Sequence, residues 1–352
     1  MKSKSVLLTL AKFAIPITII WFLLANHVTD EQWHDLKTHP KDYGLLAAAL
    51  VVAIAAMSLS FARWCILVRC HDIELSMVEA FRLGSICFLL SFVSVGSVGG
   101  DLFKAVFLAK RRPGKRVEAV ASVLVDRGVG LYGLLLIVAI GLLFLAPTDT
   151  ASLVDDGTES STVNIPTIKN ATLALTALGS IVLAILVFGG KAVDGLIQRG
   201  IKLPVVGTLI QRIGPPLRMF GDHPIAFGVS IIMSMGVHIG FVISMYLIAT
   251  AMYPDTPTLS DHFVIVPIGL LASALPITPG GVGVLEGTIE GLYRIIPTTP
   301  TSASGTMVAL VFEAVKVIMA LIGTAFYWAA NEEVKESLEA AEEEGAQQNQ
   351  ES

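Results

Sequence analysis

Long apolar stretches separated by short polar ones run through this chain, and their lengths predict helices that cross a lipid bilayer. About 20 residues carry an α-helix across a hydrocarbon core near 30 Å thick. Six stretches meet that measure: 6–25, 44–62, 118–146, 169–188, 224–252 and 305–330. Two further apolar stretches do not. Segment 83–98 would reach only roughly 24 Å as a helix. Segment 263–296 is interrupted by Pro276 and Pro279 and by Gly280, Gly281 and Gly283. The eight hydrophobic segments predict an all-α polytopic membrane protein with six full transmembrane helices and two segments of another kind.

The polar connections decide how these segments thread the membrane. Segment 104–116 holds Lys104, Lys110, Arg111, Arg112, Lys115 and Arg116, and segment 189–223 holds Lys191, Arg199, Lys202, Arg212 and Arg218. Segment 63–82 adds Arg63, Arg69 and Arg82, whereas 26–43, 147–170 and 253–262 are weighted towards Asp and Glu. Basic loops stay in the cytoplasm. Since 63–82 and 104–116 are then on one side, the stretch between them must dip in and return as a re-entrant hairpin. Stretch 263–296 should do the same from the opposite face. Irregular backbone at that depth is tolerated only where protein or a water-filled cavity surrounds it.

This layout divides into pseudo-repeats of about 1–148 and 168–330, each with three crossings and a glycine-rich hairpin. An odd number of crossings turns the second half upside down, which is the inverted-repeat plan of many secondary transporters. The segment SVGSVGGDLFKAV echoes LPITPGGVGVLEG across the two halves. The rival layout is eight ordinary spans with the short ones distorted.

Composition agrees with a membrane setting. Of 352 residues, 54% are hydrophobic and 15% charged, against about 25% charged in a soluble domain. A soluble enzyme is excluded, and nothing points to nucleic acid. The net charge of −5 hides an uneven distribution: residues 331–352 carry eight Glu and one Lys. They read as an acidic, disordered cytoplasmic tail with too little to bury. At the other end, Lys2, Lys4 and Lys12 flank an apolar run without a small-x-small cleavage site, so it should remain as an anchor helix. Cys65, Cys70 and Cys87 form neither a disulfide framework nor a metal site and read as buried thiols.

The most specific signal lies in three ordered motifs: Gly99-Gly100-Asp101-x-x-Lys104, then Asp126-Arg127, then Pro279-Gly280-Gly281-x-Gly283-x-x-Glu286. In these motifs and in layout over most of 1–330, the chain resembles the flippase-like membrane family, which includes the transmembrane region of lysylphosphatidylglycerol synthases. Two positions depart from that pattern. Lys104 stands where the first motif usually ends in Arg, and the last span carries Glu313 and Lys316 where an Arg is often found. No soluble domain follows residue 330, so the resemblance implies movement or handling of a lipid in a bacterial inner membrane. It does not imply tRNA-dependent modification.

The same residues have a chemistry of their own. Gly99-Gly100 permits a tight turn, and Asp101 then suits the N-cap of a short helix reaching Arg112 before Pro113. Gly280, Gly281 and Gly283 suit the opening of a helix near Val284. Such helix ends favour a phosphate, although glycines equally serve close helix packing. Ionisable groups inside spans should face protein or water. These are Asp126, Arg127, Glu313, Lys316 and His238, together with Glu286, Glu290 and Arg294 on one face of their half-helix. Asp126 with Arg127, and Glu313 with Lys316, are alternatively structural ion pairs, and His238 a satisfied interior histidine.

These features predict alternating access for an anionic lipid, a phospholipid or polyprenyl phosphate, without a cofactor or metal. Lys104, Arg127 and Lys316 would neutralise the headgroup, and Glu286 with Asp126 would balance them and carry a coupling proton. Two other functions stay open. A membrane-embedded transferase acting on a lipid phosphate would need an ordered acidic or histidine site; Asp155 and Asp156 would offer a metal-binding pair in a Ser/Thr/Asp-rich connector, and the spacing of His27, His34 and His39 specifies no metal. A scaffold would recruit a separate lipid-synthesis enzyme through Lys110, Arg111, Arg112, Lys115 and Arg116.

Overall fold

The computed structural model describes residues 40–93, 98–144, 165–189, 218–274 and 283–329, with isolated positions between 195 and 214 and at 336–337. Among the described residues, the chain forms nine α-helices and no strand. They are α1 (Tyr43–Arg69), α2 (Met77–Val93), α3 (Val98–Arg111), α4 (Arg116–Phe144) and α5 (Ile165–Phe188). The rest are α6 (Pro224–Met252), α7 (Leu259–Ser273), α8 (Val284–Ile295) and α9 (Gly305–Trp328). Helices α1, α4, α6 and α9 are each long and apolar enough to cross a membrane. Helix α5 has a shorter apolar run, Lys169–Ile185, and turns Leu175, Leu178, Ile181 and Val182 outward, each more than half exposed. The expected anchor 6–25, the loop holding Asp155 and Asp156, and most of the acidic tail lie outside the described residues.

Local chemistry sets the helix ends. Asp42 caps α1 by accepting from the N–H groups of Gly44 and Leu45 at 2.8 and 3.0 Å. Ser76 and Glu79 cap α2 reciprocally, and Thr258 with Asp261 does so for α7. Helix α1 continues seven residues beyond the predicted 44–62, because hydropathy falls at Arg63 while helix formation does not. Arg63 and Arg69 thus belong to a helix rather than to a loop.

Hydrogen bonds between loops sort the helix ends into two faces. Asp42 N–H donates to the Ala251 carbonyl, and Thr301 Oγ1 donates to the Asp255 carbonyl. These join the start of α1, the α6–α7 connection and the α8–α9 connection. At the other end of α1, Lys115 donates to the His71 carbonyl and the His71 ring packs on Phe220. Lys110 donates to the Glu336 carbonyl at 2.8 Å, which brings the chain beyond α9 to that same face. Helix α2 therefore starts, and α3 finishes, at the basic face. Helices α7 and α8 start and finish at the other.

The packing pairs follow a two-part scheme. Helices α1 and α6 share the largest interface; α2 packs on α9, and α7 on α4. In each set the two short helices pack on each other, and the second lies against the following long helix. Small residues make both cross-set contacts close. A Cβ on Gly141 of α4 would sit 2.6 Å from the Phe263 carbonyl of α7, and one on Gly323 of α9 would collide with the Ser85 carbonyl of α2. One core of buried side chains spans α1, α4 and α6 to α9, and a second surrounds Trp64, Phe103 and Phe107 between α1, α2 and α3.

Candidate functional site

An aspartate eleven residues into an apolar helix needs partners, and Asp126 finds two. Arg63 of α1 donates through Nε to Oδ1 at 2.9 Å, and Lys104 of α3 approaches Oδ2 at 3.4 Å. Arg63 and Asp126 are each 5% exposed. Lys104 also lies 4.9 Å from the centroid of the Trp64 ring, a cation–π contact. Gly130, one turn along α4, leaves room for the Arg63 guanidinium. Its carbonyl accepts from Ser234 Oγ at 3.2 Å and lies 3.0 Å from His238 Nε2. His238 is thus held as an interior histidine against α4.

Arg127 points elsewhere. Adjacent residues of an α-helix project about 100° apart, so Asp126 and Arg127 do not pair with each other. Arg127 instead forms an ion pair with Asp101 of α3, its side chain half exposed while that of Asp101 is 21% exposed. Among the described residues, Arg63, Lys104 and Arg127 here face Asp101 and Asp126. An apolar crevice of about 290 Å³ opens between α4 and α5. Its α4 wall begins at Gly128, next to Arg127, and runs through Leu131, Tyr132 and Leu135; Leu175, Leu178 and Val182 form the other wall.

The glycine motif of α3 works differently from its expected role. Helix α3 begins at Val98, so Gly99 and Gly100 are helical and Asp101 lies inside the first turn rather than at the N-cap. A Cβ on Gly100 would collide with the Cys87 carbonyl of α2, so here glycine serves close packing. That contact is what brings Asp101 and Lys104 within reach of α4. Gly283, by contrast, is the N-cap of α8 with φ +84°, a backbone that glycine tolerates best. Pro279, Gly280 and Gly281 lie outside the described residues.

A second charged group lies between α8 and α9. Glu286 reaches back to accept the Gly283 N–H at 2.7 Å, and Lys316 donates to Glu313 Oε1 at 2.7 Å, as residues three apart on one helix face allow. Both glutamates are 2% exposed. Glu290 is committed to structure. It accepts from the Thr306 N–H at 2.8 Å and from Ser304 at the start of α9, and pairs with Arg294 at 2.9 Å. Asp126 and Glu286 thus belong to separate groups, each with its own cation nearby.

The sequence pattern missed Arg63, which stands beyond an apolar run and reads as one more topogenic cation. The signal that could have found it is the unpaired Asp126, which requires a buried cation from another helix. Cys65, Cys70 and Cys87 are buried free thiols, as expected.

Apolar helices of spanning length, with buried charge held between them, define an integral membrane protein. The chain belongs to the family of the lysylphosphatidylglycerol synthase transmembrane region, whose model matches residues 9–323. It is also 25% identical over 310 residues to a protein named glycosyltransferase AglD from Haloferax volcanii. That match covers 80% of this chain and 48% of the relative, so the chain spans about half the relative's length. No solved structure matches.

Proposed function

We propose that this protein moves an anionic lipid, a phospholipid or polyprenyl phosphate, between leaflets by alternating access. The observation that carries this reading is that α4 bears both the half-exposed Arg127 and, from Gly128 onward, one wall of the apolar crevice. A half-exposed guanidinium one helical turn before Leu131, on a helix that also lines a slot of leucine, valine and tyrosine, suits a molecule with an anionic end and a hydrocarbon body. Arg127 meets the headgroup phosphate, and Asp101 orients the guanidinium. Arg63 and Lys104 hold Asp126, which keeps α1, α3 and α4 in register around the site.

The packing scheme supports an inverted repeat. Exchanging α1 with α6, α2 with α7, α3 with α8 and α4 with α9 maps the contacts of α2 on α9 onto those of α7 on α4. Both ends of the pair α2–α3 meet the basic face, and both ends of α7–α8 meet the other. Two re-entrant hairpins entering from opposite leaflets account for this, and rocking of one set against the other would expose Arg127 alternately. The positive-inside rule assigns the basic face to the cytoplasm, and we read both termini as cytoplasmic in a bacterial inner membrane.

The test is to purify the protein, identify the lipids extracted with it, and follow their translocation in reconstituted vesicles. Arg127→Ala should insert normally and lose translocation by at least about tenfold, the order expected for one charge-assisted contact. Translocation at the wild-type rate would refute the assignment. A second reading, a membrane-embedded transferase acting on a lipid phosphate, is favoured by the name of the Haloferax relative. It predicts that the lipid emerges chemically altered, which mass spectrometry of the same vesicles detects.

A further inference from the structure

The second charged group has a feature that transport of a headgroup at Arg127 does not use. Among the described residues, two glutamates that are each 2% exposed lie near one lysine, and Glu286 Oε1 and Glu313 Oε2 are buried there without a hydrogen-bond partner. Glu286 is within electrostatic range of both Glu313 and Lys316. Two buried carboxylates with one ammonium would leave a negative charge uncompensated, and an ionised carboxylate with an unsatisfied oxygen is the costlier form. The geometry distinguishes the two. Lys316 holds Glu313 Oε1 at 2.7 Å, whereas among the described residues the donors to Glu286 are backbone N–H groups, that of Gly283 on Oε2 at 2.7 Å and its own. The N-terminus of α8 favours a carboxylate at Glu286 by less than a buried unpaired charge costs.

We infer that the Glu286–Glu313–Lys316 group is a proton-binding site, with the proton carried on Oε1 of Glu286. The proton comes from water and converts the Glu286 carboxylate to a carboxylic acid, so the group is electrically neutral when loaded. Glu286 lies in the first turn of α8, three residues past the Gly283 N-cap. A role in driving lipid movement rests on the transport reading above. The site itself does not.

The test is infrared difference spectroscopy of the full chain in lipid vesicles at neutral pH, comparing variants with wild type. The wild type should show a protonated-carboxyl stretch that shifts in deuterium oxide. Glu286→Gln should remove it and Glu290→Gln should leave it. Glu313→Gln removes the carboxylate that Lys316 holds, brings the Lys316 charge to bear on Glu286 and should also remove the band, which gives a second route if Glu286→Gln fails to fold. Absence of the band in wild type, or its persistence in Glu286→Gln or Glu313→Gln, would overturn the inference. Because the band is read without any lipid movement, such a failure is separable from failure of the Arg127 experiment.

Discussion

Asp126 shows how strongly a single buried charge constrains its surroundings. Arg63→Met leaves Asp126 with Lys104 alone and should cost about 3 kcal/mol. Asp126→Asn strips two buried cations of their shared partner and should cost more, so denaturation in detergent should rank it the less stable of the two. His71 makes a different residue-scale prediction. It is fully buried in the turn after α1, its ring edge-on to Phe220 with centroids 4.6 Å apart. Burial pushes its pKa down to about 4, opposed by Glu118 and Asp72 and assisted by Lys115 and His223. The neutral ring is therefore the folded form, and the unfolded chain takes up the extra proton as pH falls below about 6.5. Stability of about 3 kcal/mol should be present at neutral pH and lost between pH 6.5 and 4. His71→Phe should flatten that part of a thermal-stability profile.

Among the elements, the short helices depend on close approach. Gly141 and Gly323 each meet a backbone carbonyl of the opposite set, and backbone cannot move aside as a flexible side chain can. Gly323→Ala and Gly141→Ala should each destabilise by about 1–3 kcal/mol through overpacking. Gly287, in α8, faces open space: a Cβ added there would meet nothing within 4 Å. Gly287→Ala should be neutral or stabilising by up to about 1 kcal/mol, since alanine is the better helix former. Thermal shifts of the three variants side by side check the contrast. At this scale the hydropathy pattern was a good guide: the α6 stretch 224–252 agrees with Pro224–Met252, and the other long helices differ from their predicted spans mainly at the ends. It could not show that α3 starts at Val98. Two adjacent glycines read equally as a turn or as a packing surface, and only the nearness of Cys87 on α2 decides between them.

For the whole molecule, the two faces make a topological claim. Single cysteines replacing Glu74 and Lys115, introduced into a chain whose native thiols are buried, should react with an impermeant reagent from one side of a sealed vesicle. Replacements at Asp255 and Thr301 should react from the other. A pair drawn from one face but labelled from opposite sides would remove the hairpin arrangement, and with it the inverted repeat.

What the amino-acid order determined by itself was the medium and the rough layout. Hydropathy is a sum over neighbours in the chain, so apolar runs, basic and acidic connections and the helix start at Gly283 are visible without a fold. The partners of the buried charges were decided only in three dimensions. Asp126 turns to Arg63 and Lys104, and Arg127 turns to Asp101, because a helix aims consecutive side chains in different directions and packing chooses what each one meets.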